Sequence, residues 1–233
     1  MKYRFILLDA DNTLLDFDAC EKEAFRRTME DIGIPFSETL YERYSAINLA
    51  CWKELERKEI TRTELQTKRY SLLAAECSLA LDPAQTNARY ISHLSTISVL
   101  IPGALSFVKT LSQKAELYII TNGLACVQIG RFHNNPITPY IRKIFISESL
   151  GASKPDRLFF EQVAMQIPDF DHSNAIVIGD SLTSDIRGAN NAGLSCIWYN
   201  PKGNKRGNEI IDYEVSNYSE ILNILEQGDF HEN

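Results

Sequence analysis

The stretch FILLDADNT, residues 5–13, decides the fold. Its first four residues, Phe5–Leu8, are all apolar, and such an unbroken run is typical of a strand that is buried on both faces. Asp9 and Asp11 follow directly, and residues two apart on an extended segment point the same way. Two carboxylates that leave one strand end together repel each other and lose solvation, which a divalent cation would relieve. The stretch therefore predicts a buried strand that ends in an acidic site.

Other short apolar runs of strand length recur along the chain. They are Leu117–Ile120, Ile144–Ile146, Ala175–Ile178 and Cys196–Tyr199. Helix-like stretches separate them, which favours a parallel α/β sheet. The residues that follow these runs are polar, and ligands of such sheets bind at the carboxyl ends of the strands. We therefore expect several of these strand ends to face a common crevice.

The first connection of this sheet is unusually long. More than a hundred residues separate Asp9 from Leu117, whereas a simple crossover needs only about 10–12. The sequence pattern of this interval predicts four helices. Helix start signals occur at Asp18-x-x-Glu21, Thr61-x-x-Glu64 and Asp82-Pro83. We therefore expect a helical insertion over about 17–96, after which the chain returns to the sheet.

A second acidic group follows the run Ala175–Ile178. The sequence there is GDSLTSD, residues 179–185, and it contributes Asp180 and Asp185. Hard oxygen ligands of this kind favour magnesium, although Asp185 could instead cap the next helix. Four carboxylates at two strand ends suit phosphoryl transfer. One can attack phosphorus and form an aspartyl-phosphate, while a second serves as general acid and then as general base.

Two weaker elements also suit a phosphate. Thr121, Asn122 and Gly123 end a strand, and their hydroxyl, amide and backbone groups fit phosphate oxygens as well as they fit a turn. Lys154 precedes Pro155 and offers a compact positive charge, although a lone lysine is usually only solvated.

In sequence order, these four elements resemble the four motifs of the haloacid dehalogenase superfamily. The resemblance covers the whole chain and implies a Rossmann-like core at 1–16 and 97–233 with a helical cap at 17–96. It implies that Asp9 is the nucleophile, that Asp11 is the acid and base, and that Thr13 supports them. Mg²⁺ would be bound by Asp9, the Asp11 carbonyl and Asp180. The phosphoryl group would be held by Thr121, Asn122 and Lys154, with Asp185 supporting Lys154 and the metal shell.

Within that superfamily, the chain resembles the pyrimidine nucleotidases. The likeness rests on DADNTLLDFD at 9–18, on Ala46-Ile47-Asn48 with Trp52 and Ile60-Thr61, on the TNG turn, and on Ile146-Ser147-Glu148. It implies a nucleoside monophosphate substrate with a pyrimidine base. Asn48 and Trp52 are four apart on one helical face and are candidate base contacts, as is Arg69, although Trp52 could instead fill the cap core.

Several alternatives remain open from the sequence. A sugar-phosphate phosphatase or mutase keeps both aspartates, whereas a 2-haloacid dehalogenase does not need Asp11. A phosphonatase needs a cap lysine that the sequence does not identify. An inactive phosphate-binding regulator would usually lack a catalytic carboxylate, and a receiver domain is too small for the insertion.

Composition and local sequence patterns exclude some classes of binding partner and indicate where the protein is located. A net charge of -7 argues against general binding to nucleic acid or to an anionic membrane. Five scattered cysteines without a CxxC pair fit reduced thiols. There is neither a signal-peptide pattern nor an apolar run near the ~20 residues of a membrane span, so we expect a cytoplasmic protein. The tail at 228–233 is expected to fray, and the oligomeric state is not fixed.

Overall fold

The structure, a computed structural model, describes residues 2–227. The strands are β1 (Phe5–Leu8), β2 (Glu116–Thr121), β3 (Lys143–Ile146), β4 (Ala175–Gly179), β5 (Ser195–Tyr199) and β6 (Tyr213–Val215). The helices are α1 (Phe17–Asp31), α2 (Glu38–Glu56), α3 (Arg62–Cys77), α4 (Pro83–Thr96), α5 (Ala104–Leu111), α6 (Ala125–His133), α7 (Ser147–Leu150), α8 (Arg157–Ala164), α9 (Arg187–Ala192) and α10 (Tyr218–Gln227). The prediction for the tail lies outside the described residues.

The six strands form one parallel sheet in the order β3-β2-β1-β4-β5-β6. This confirms the predicted Rossmann-like α/β fold. The first strand is central: Phe5 pairs with Glu116 on one side and with Ala175 on the other. The chain runs outward to one edge through β2 and β3, and then to the other through β4, β5 and β6. The order therefore changes direction beside β1, where open parallel sheets bind their ligands.

Burial on both faces explains the unbroken apolar run of β1. Ile6 and Leu8 join one hydrophobic cluster, with residues of α5 and α10. Phe5 and Leu7 join the cluster on the opposite face, with residues of α8 and α9. All four side chains are fully buried, and each such burial contributes about 1.5–3 kcal/mol of stabilisation. The strand that carries Asp9 is therefore firmly anchored.

The chain divides into two compact units. Of the described residues, one unit holds those up to Phe17 and those from Val99 onward, and the other is Asp18–Ser98. The first, which we call the core unit, contains the whole sheet. The second, which we call the helical unit, contains α2, α3, α4 and nearly all of α1.

Two of the three predicted helix starts in the helical unit are confirmed. Thr61 caps α3 with a reciprocal capping box to Glu64. Asp82 caps α4, with Pro83 in the first turn.

The third predicted start, Asp18-x-x-Glu21, is wrong as a capping box. Helix α1 already begins at Phe17, so Asp18 lies inside the first turn. The amide of Phe17 donates to the side chain of Asn12 instead, at 3.1 Å. Glu21 is buried and accepts a hydrogen bond from Asn48.

Among residues 2–227, no helix is both long enough and apolar enough to cross a membrane.

Candidate active site

Asp9 lies at the carboxyl end of the central strand β1. Its backbone amide donates to Ile178 of β4 at 2.9 Å, so the strand pairing continues to the carboxylate itself. Thr121 ends β2, and Asp180 follows β4. Because β2 and β4 flank β1, the parallel sheet gathers these three side chains at one edge.

Lys154 connects Asp9 to a second carboxylate. Its ammonium donates to Asp9 Oδ1 at 2.6 Å, to Asp185 Oδ1 at 2.6 Å and to the carbonyl of Ile120 at 2.9 Å. Burial lowers the pKa of Lys154, but the two carboxylates more than offset this and raise it above its usual value. The lysine therefore stays charged and orients Asp9. Since its three N–H groups have acceptors, the predicted phosphate contact would have to displace or share one of them.

Asp185 is fully buried and held from two directions. Its Oδ1 accepts from Lys154, and its Oδ2 accepts from the backbone amide of Ser181 at 3.1 Å. Gly179 makes room for it, because a Cβ at that position would overlap the Asp185 carboxylate. The sequence GDxxxxD thus works as one unit, in which the glycine allows its second aspartate to reach Lys154.

Asp180 completes an acidic cluster with Asp9 and Asp185. Each residue offers a carboxylate oxygen within 4.8 Å of the others. The backbone carbonyl of Asp180 accepts from the Trp198 indole at 2.8 Å, which fixes the start of this loop. Burial, with added repulsion from Asp185, raises the pKa of Asp9 to about 7. Burial and Asp9 likewise raise the pKa of Asp180 well above its usual range.

The donor set of this cluster fits magnesium. It consists of hard carboxylate oxygens from three aspartates, and Lys154 is paired with two of them. Burial, followed by repulsion between these carboxylates, raises the pKa of Asp9 and of Asp180. A divalent cation would supply the missing positive charge. The metal ligands expected from the sequence included Asp9 and Asp180, which the structure brings together.

Asp11 lies two residues after Asp9, but other groups hold its carboxylate. Gln128 donates to Asp11 Oδ2 at 2.8 Å, and Arg131 donates to Asp11 Oδ1. Both side chains come from α6, and both are buried. The sequence reasoning did not identify either residue. Their spacing of three on a helix that follows the TNG turn was the available signal.

Two residues beside the aspartates shape the turn after β1. Thr13 is buried, and its hydroxyl lies 3.4 Å from Asp9 Oδ2, so it contacts the predicted nucleophile. Asn12 adopts a φ of 58°, a left-handed conformation that asparagine tolerates better than most residues. Asn12 thus has a backbone role in this turn.

The TNG turn is tied to its neighbours. The Thr121 hydroxyl accepts from Gly123 at 3.0 Å and from Gln128 at 3.2 Å, which leaves its own hydrogen for a further acceptor. The Asn122 amide donates to the Lys154 carbonyl at 2.7 Å and accepts from the Lys154 amide at 3.0 Å. Thr121 is thus arranged as a donor, whereas Asn122 braces the Lys154 loop, so its predicted phosphate contact stays a prediction.

Comparison of the sequence with protein families decides the family. The sequence model described as haloacid dehalogenase-like hydrolase matches residues 6–199. The chain belongs to this family.

Two similar proteins match nearly the whole chain. The chain is 37% identical over 230 residues to the pyrimidine 5'-nucleotidase PynA of Streptococcus pneumoniae, covering 98% of this chain and 97% of that protein. It is 30% identical over 226 residues to the pyrimidine 5'-nucleotidase YjjG of Escherichia coli, covering 97% and 99%. The expected phosphoric monoester hydrolase class is thereby confirmed.

A solved structure of the same family matches the fold closely. It is the HAD-hydrolase YfnB of Bacillus subtilis bound to magnesium, with a TM-score of 0.93 and 36% identity. The match covers 97% of this chain and 100% of that chain.

The three predicted base contacts of this family member lie in the helical unit. Asn48 is 3% exposed, donates to Glu21 at 2.6 Å and accepts from Arg69 at 2.8 Å. Arg69 is 2% exposed and also donates to Asn87 at 2.7 Å. One buried network thus links all four helices and includes both side chains, so a base contact of Asn48 or Arg69 would have to displace or share these hydrogen bonds and stays a prediction. Trp52 is half-buried, and its role stays a prediction.

The raised pKa of Asp9 predicts a pH-dependent stability of the metal-free enzyme. The folded protein holds this proton more tightly than the unfolded chain, so the free energy of unfolding should fall as pH rises from about 4 to about 7. Asp9→Asn removes the carboxyl group that titrates. In chelator, it should therefore gain stability relative to wild type across this window, by up to about 4 kcal/mol.

Urea unfolding in chelator at about pH 5 and about pH 8 measures this difference. The matched control is Asp169→Asn, an exposed position with a φ of 57° that asparagine suits. A stability difference between Asp9→Asn and wild type that stays constant with pH would contradict the prediction.

Proposed function

We propose that this phosphatase is a magnesium-dependent 5'-nucleotidase that prefers pyrimidine nucleoside monophosphates and works through a phosphoryl intermediate on Asp9. The observation that carries the chemistry is the position of Asp9, held by Lys154 within an acidic cluster at the central strand end. The support for the substrate is the likeness to two pyrimidine 5'-nucleotidases across nearly the whole chain. A cytoplasmic location remains a prediction.

The first half of the reaction transfers the phosphoryl group to the enzyme. A carboxylate oxygen of Asp9 attacks phosphorus, and an oxygen–phosphorus bond forms as the bond from phosphorus to the ester oxygen breaks. Asp11 gives its proton to the departing alcohol oxygen. Lys154 keeps Asp9 oriented, because it binds one oxygen of that carboxylate and leaves the other closer to Thr13.

The second half returns the enzyme to its starting state. Asp11, now a carboxylate, takes a proton from water as that water attacks phosphorus. The bond between phosphorus and the Asp9 oxygen then breaks, so inorganic phosphate leaves and Asp9 is again a carboxylate. The same side chain thus acts first as acid and then as base, which requires it to be placed accurately relative to Asp9.

The residues that would hold Mg²⁺ are Asp9 and Asp180, with the Asp11 carbonyl expected from the family resemblance. When bound, the ion neutralises negative charge on the phosphate and on the nucleophile as they approach each other. The hydroxyl of Thr121 is arranged to donate to a phosphate oxygen. Asp185 acts through Lys154, which it holds against Asp9.

Substrate choice is tested by comparing catalytic efficiency on three groups of phosphates with Mg²⁺ present. We expect pyrimidine nucleoside monophosphates, including their deoxy forms, to be hydrolysed with a higher kcat/KM than purine monophosphates or hexose phosphates. Trp52→Leu should raise KM for the pyrimidine nucleotides if the indole stacks on the base. Higher efficiency on hexose phosphates would reject the nucleotidase proposal in favour of a sugar-phosphate phosphatase.

Release of free phosphate distinguishes a phosphatase from a mutase in the same assay. A mutase would return the phosphoryl group to a sugar-phosphate intermediate, so isomerised sugar phosphate would accumulate. A hydrolase releases one inorganic phosphate for each nucleoside formed.

A further inference from the structure

The carboxylate of Asp11 is held at both oxygens by one helix. Gln128 and Arg131 lie three positions apart on α6 and therefore reach out from neighbouring turns of one face. Gln128 Nε2 donates to Asp11 Oδ2 at 2.8 Å, and Arg131 Nη1 donates to Asp11 Oδ1. Two donors on two different oxygens fix both the direction and the rotation of a carboxylate, which a single bond would not.

The two donors are themselves immobilised. Gln128 is 1% exposed, and Arg131 is 2% exposed with a fully buried guanidinium. The Arg131 guanidinium also lies over the ring of Phe17, at 5.8 Å from its centroid. Burying an arginine costs free energy unless it pairs with a carboxylate. Arg131 is therefore held in place by its ion pair with Asp11 and is not a solvated surface charge.

Gln128 also links Asp11 to the TNG turn. The same nitrogen donates to the hydroxyl of Thr121 at 3.2 Å, so one amide joins the predicted phosphate donor to the predicted acid and base. Gly123 leaves the space for this amide, because a Cβ there would overlap the Gln128 side chain. The glycine of the turn is therefore explained by the room that Gln128 needs.

We propose that Gln128 and Arg131 are positioning residues that fix the orientation of the Asp11 carboxyl group for proton transfer. The proposal rests on the function proposed above, because it assigns these two side chains to the acid and base step. It predicts that their loss lowers kcat and leaves KM little changed, since neither acts on the substrate itself. Misplacement of a catalytic group can cost about 100-fold in rate.

Three variants measure the size of the effect. Arg131→Met and Gln128→Met keep much of the side-chain volume but remove the donors, and each should lower kcat about 10-fold to 100-fold. Arg131→Lys keeps the charge with a different shape and should recover part of the loss. Val127→Ala is the matched control, because it trims a buried side chain of the same helix that has no part in holding Asp11. Thermal unfolding of each variant reports how far the fold is weakened.

A double-mutant cycle decides whether Arg131 acts through Asp11. Asp11→Asn alone should slow hydrolysis of a nucleoside monophosphate about 100-fold, the usual scale for general acid and base catalysis. In that background, Arg131→Met should cost less than about 2-fold more, because the group that it positions is already lost. Gln128→Met should behave in the same way. Val127→Ala should instead lower the rate by the same factor in both backgrounds.

The leaving group supplies a second readout. An activated aryl phosphate needs little protonation of its departing oxygen, so Arg131→Met and Gln128→Met should slow its hydrolysis much less than that of a nucleotide. A purely structural role would slow both substrates alike. If Arg131→Met does not fold, the double-mutant cycle and the comparison of the two substrates are made with Arg131→Lys and Gln128→Met.

The outcomes separate this inference from the proposed function. Wild-type enzyme without phosphatase activity would overturn the proposed function, and an unimpaired Asp11→Asn variant would overturn the role of Asp11. With both of those intact, equal losses from Arg131→Met in the wild-type and Asp11→Asn backgrounds, or equal losses on both substrates, would overturn the positioning role alone.

Discussion

Asp9→Asn should fold and lose about 10,000-fold or more of its turnover, the scale seen when a covalent nucleophile is removed. An amide oxygen at this place is a far weaker nucleophile and cannot give the mixed anhydride that hydrolysis requires. The fold should survive, because β1 is anchored by its four buried apolar side chains and not by the carboxylate. Lys154 would keep Asp185 as its ionic partner.

The measurement is release of inorganic phosphate from a pyrimidine nucleoside monophosphate. The enzyme must be purified free of host phosphatases, because a trace contaminant would mimic residual activity. Asp169→Asn makes the same chemical change at an exposed site and should retain full activity. Acid quenching of wild type during turnover should trap phosphate on the protein, whereas Asp9→Asn should trap none. Near-normal hydrolysis by Asp9→Asn would reject the covalent mechanism.

Removal of divalent metal should abolish activity, and magnesium should restore it. The cluster of Asp9, Asp180 and Asp185 concentrates negative charge that Lys154 alone does not balance, so an incoming phosphate dianion would be repelled. Calcium should restore little, because its larger and looser coordination disturbs the alignment of the reacting oxygens. Asp180→Ala should weaken magnesium dependence most, since it removes a predicted direct ligand.

Binding can be followed separately from activity. Magnesium should raise the Tm of wild type, because it binds the folded protein and not the unfolded chain. The same concentration should raise the Tm of Asp180→Ala much less. Full hydrolysis in excess chelator would contradict the metal requirement. A magnesium-induced rise in Tm as large in Asp180→Ala as in wild type would show that the ion binds elsewhere.

The strands could be predicted from the sequence because burial on both faces of a sheet requires an unbroken run of apolar residues. The apolar runs located β1 to β5 within one residue at either end. Strand β6, Tyr213–Val215, was missed because it has three residues, only one of them buried, and lies at the edge of the sheet. The start of α1 was predicted wrongly because Asp18 and Glu21 have the spacing of a capping box, although Glu21 turns inward to pair with Asn48.

The candidate site was predictable where a residue follows a strand or belongs to one of the four motifs, and it was obscure where a residue lies on a helix outside them. Asp9, Thr121 and Asp180 stand at strand ends, so topology alone brings them together. Gln128 and Arg131 look like ordinary polar residues of a helix surface, and their spacing of three after the TNG turn is too weak a signal to show that this face meets a carboxylate. The buried network that joins Asn48 to Arg69 could not be predicted either, because the sequence does not show which polar residues of a helix turn inward.

The central position of β1 determines the order in which the strands of the sheet can pair during synthesis. Its two neighbours, β2 and β4, begin at Glu116 and Ala175, so the segment Phe5–Leu8 leaves the ribosome long before either partner exists. The residues of the helical unit emerge in the interval, and their contacts are close in sequence, which favours early formation. The apolar segment that bears Asp9 meanwhile has no strand to pair with and is exposed to aggregation. Synthesis must pass Asp185 before the acidic cluster can assemble, so the cluster forms only after more than three quarters of the chain has been made.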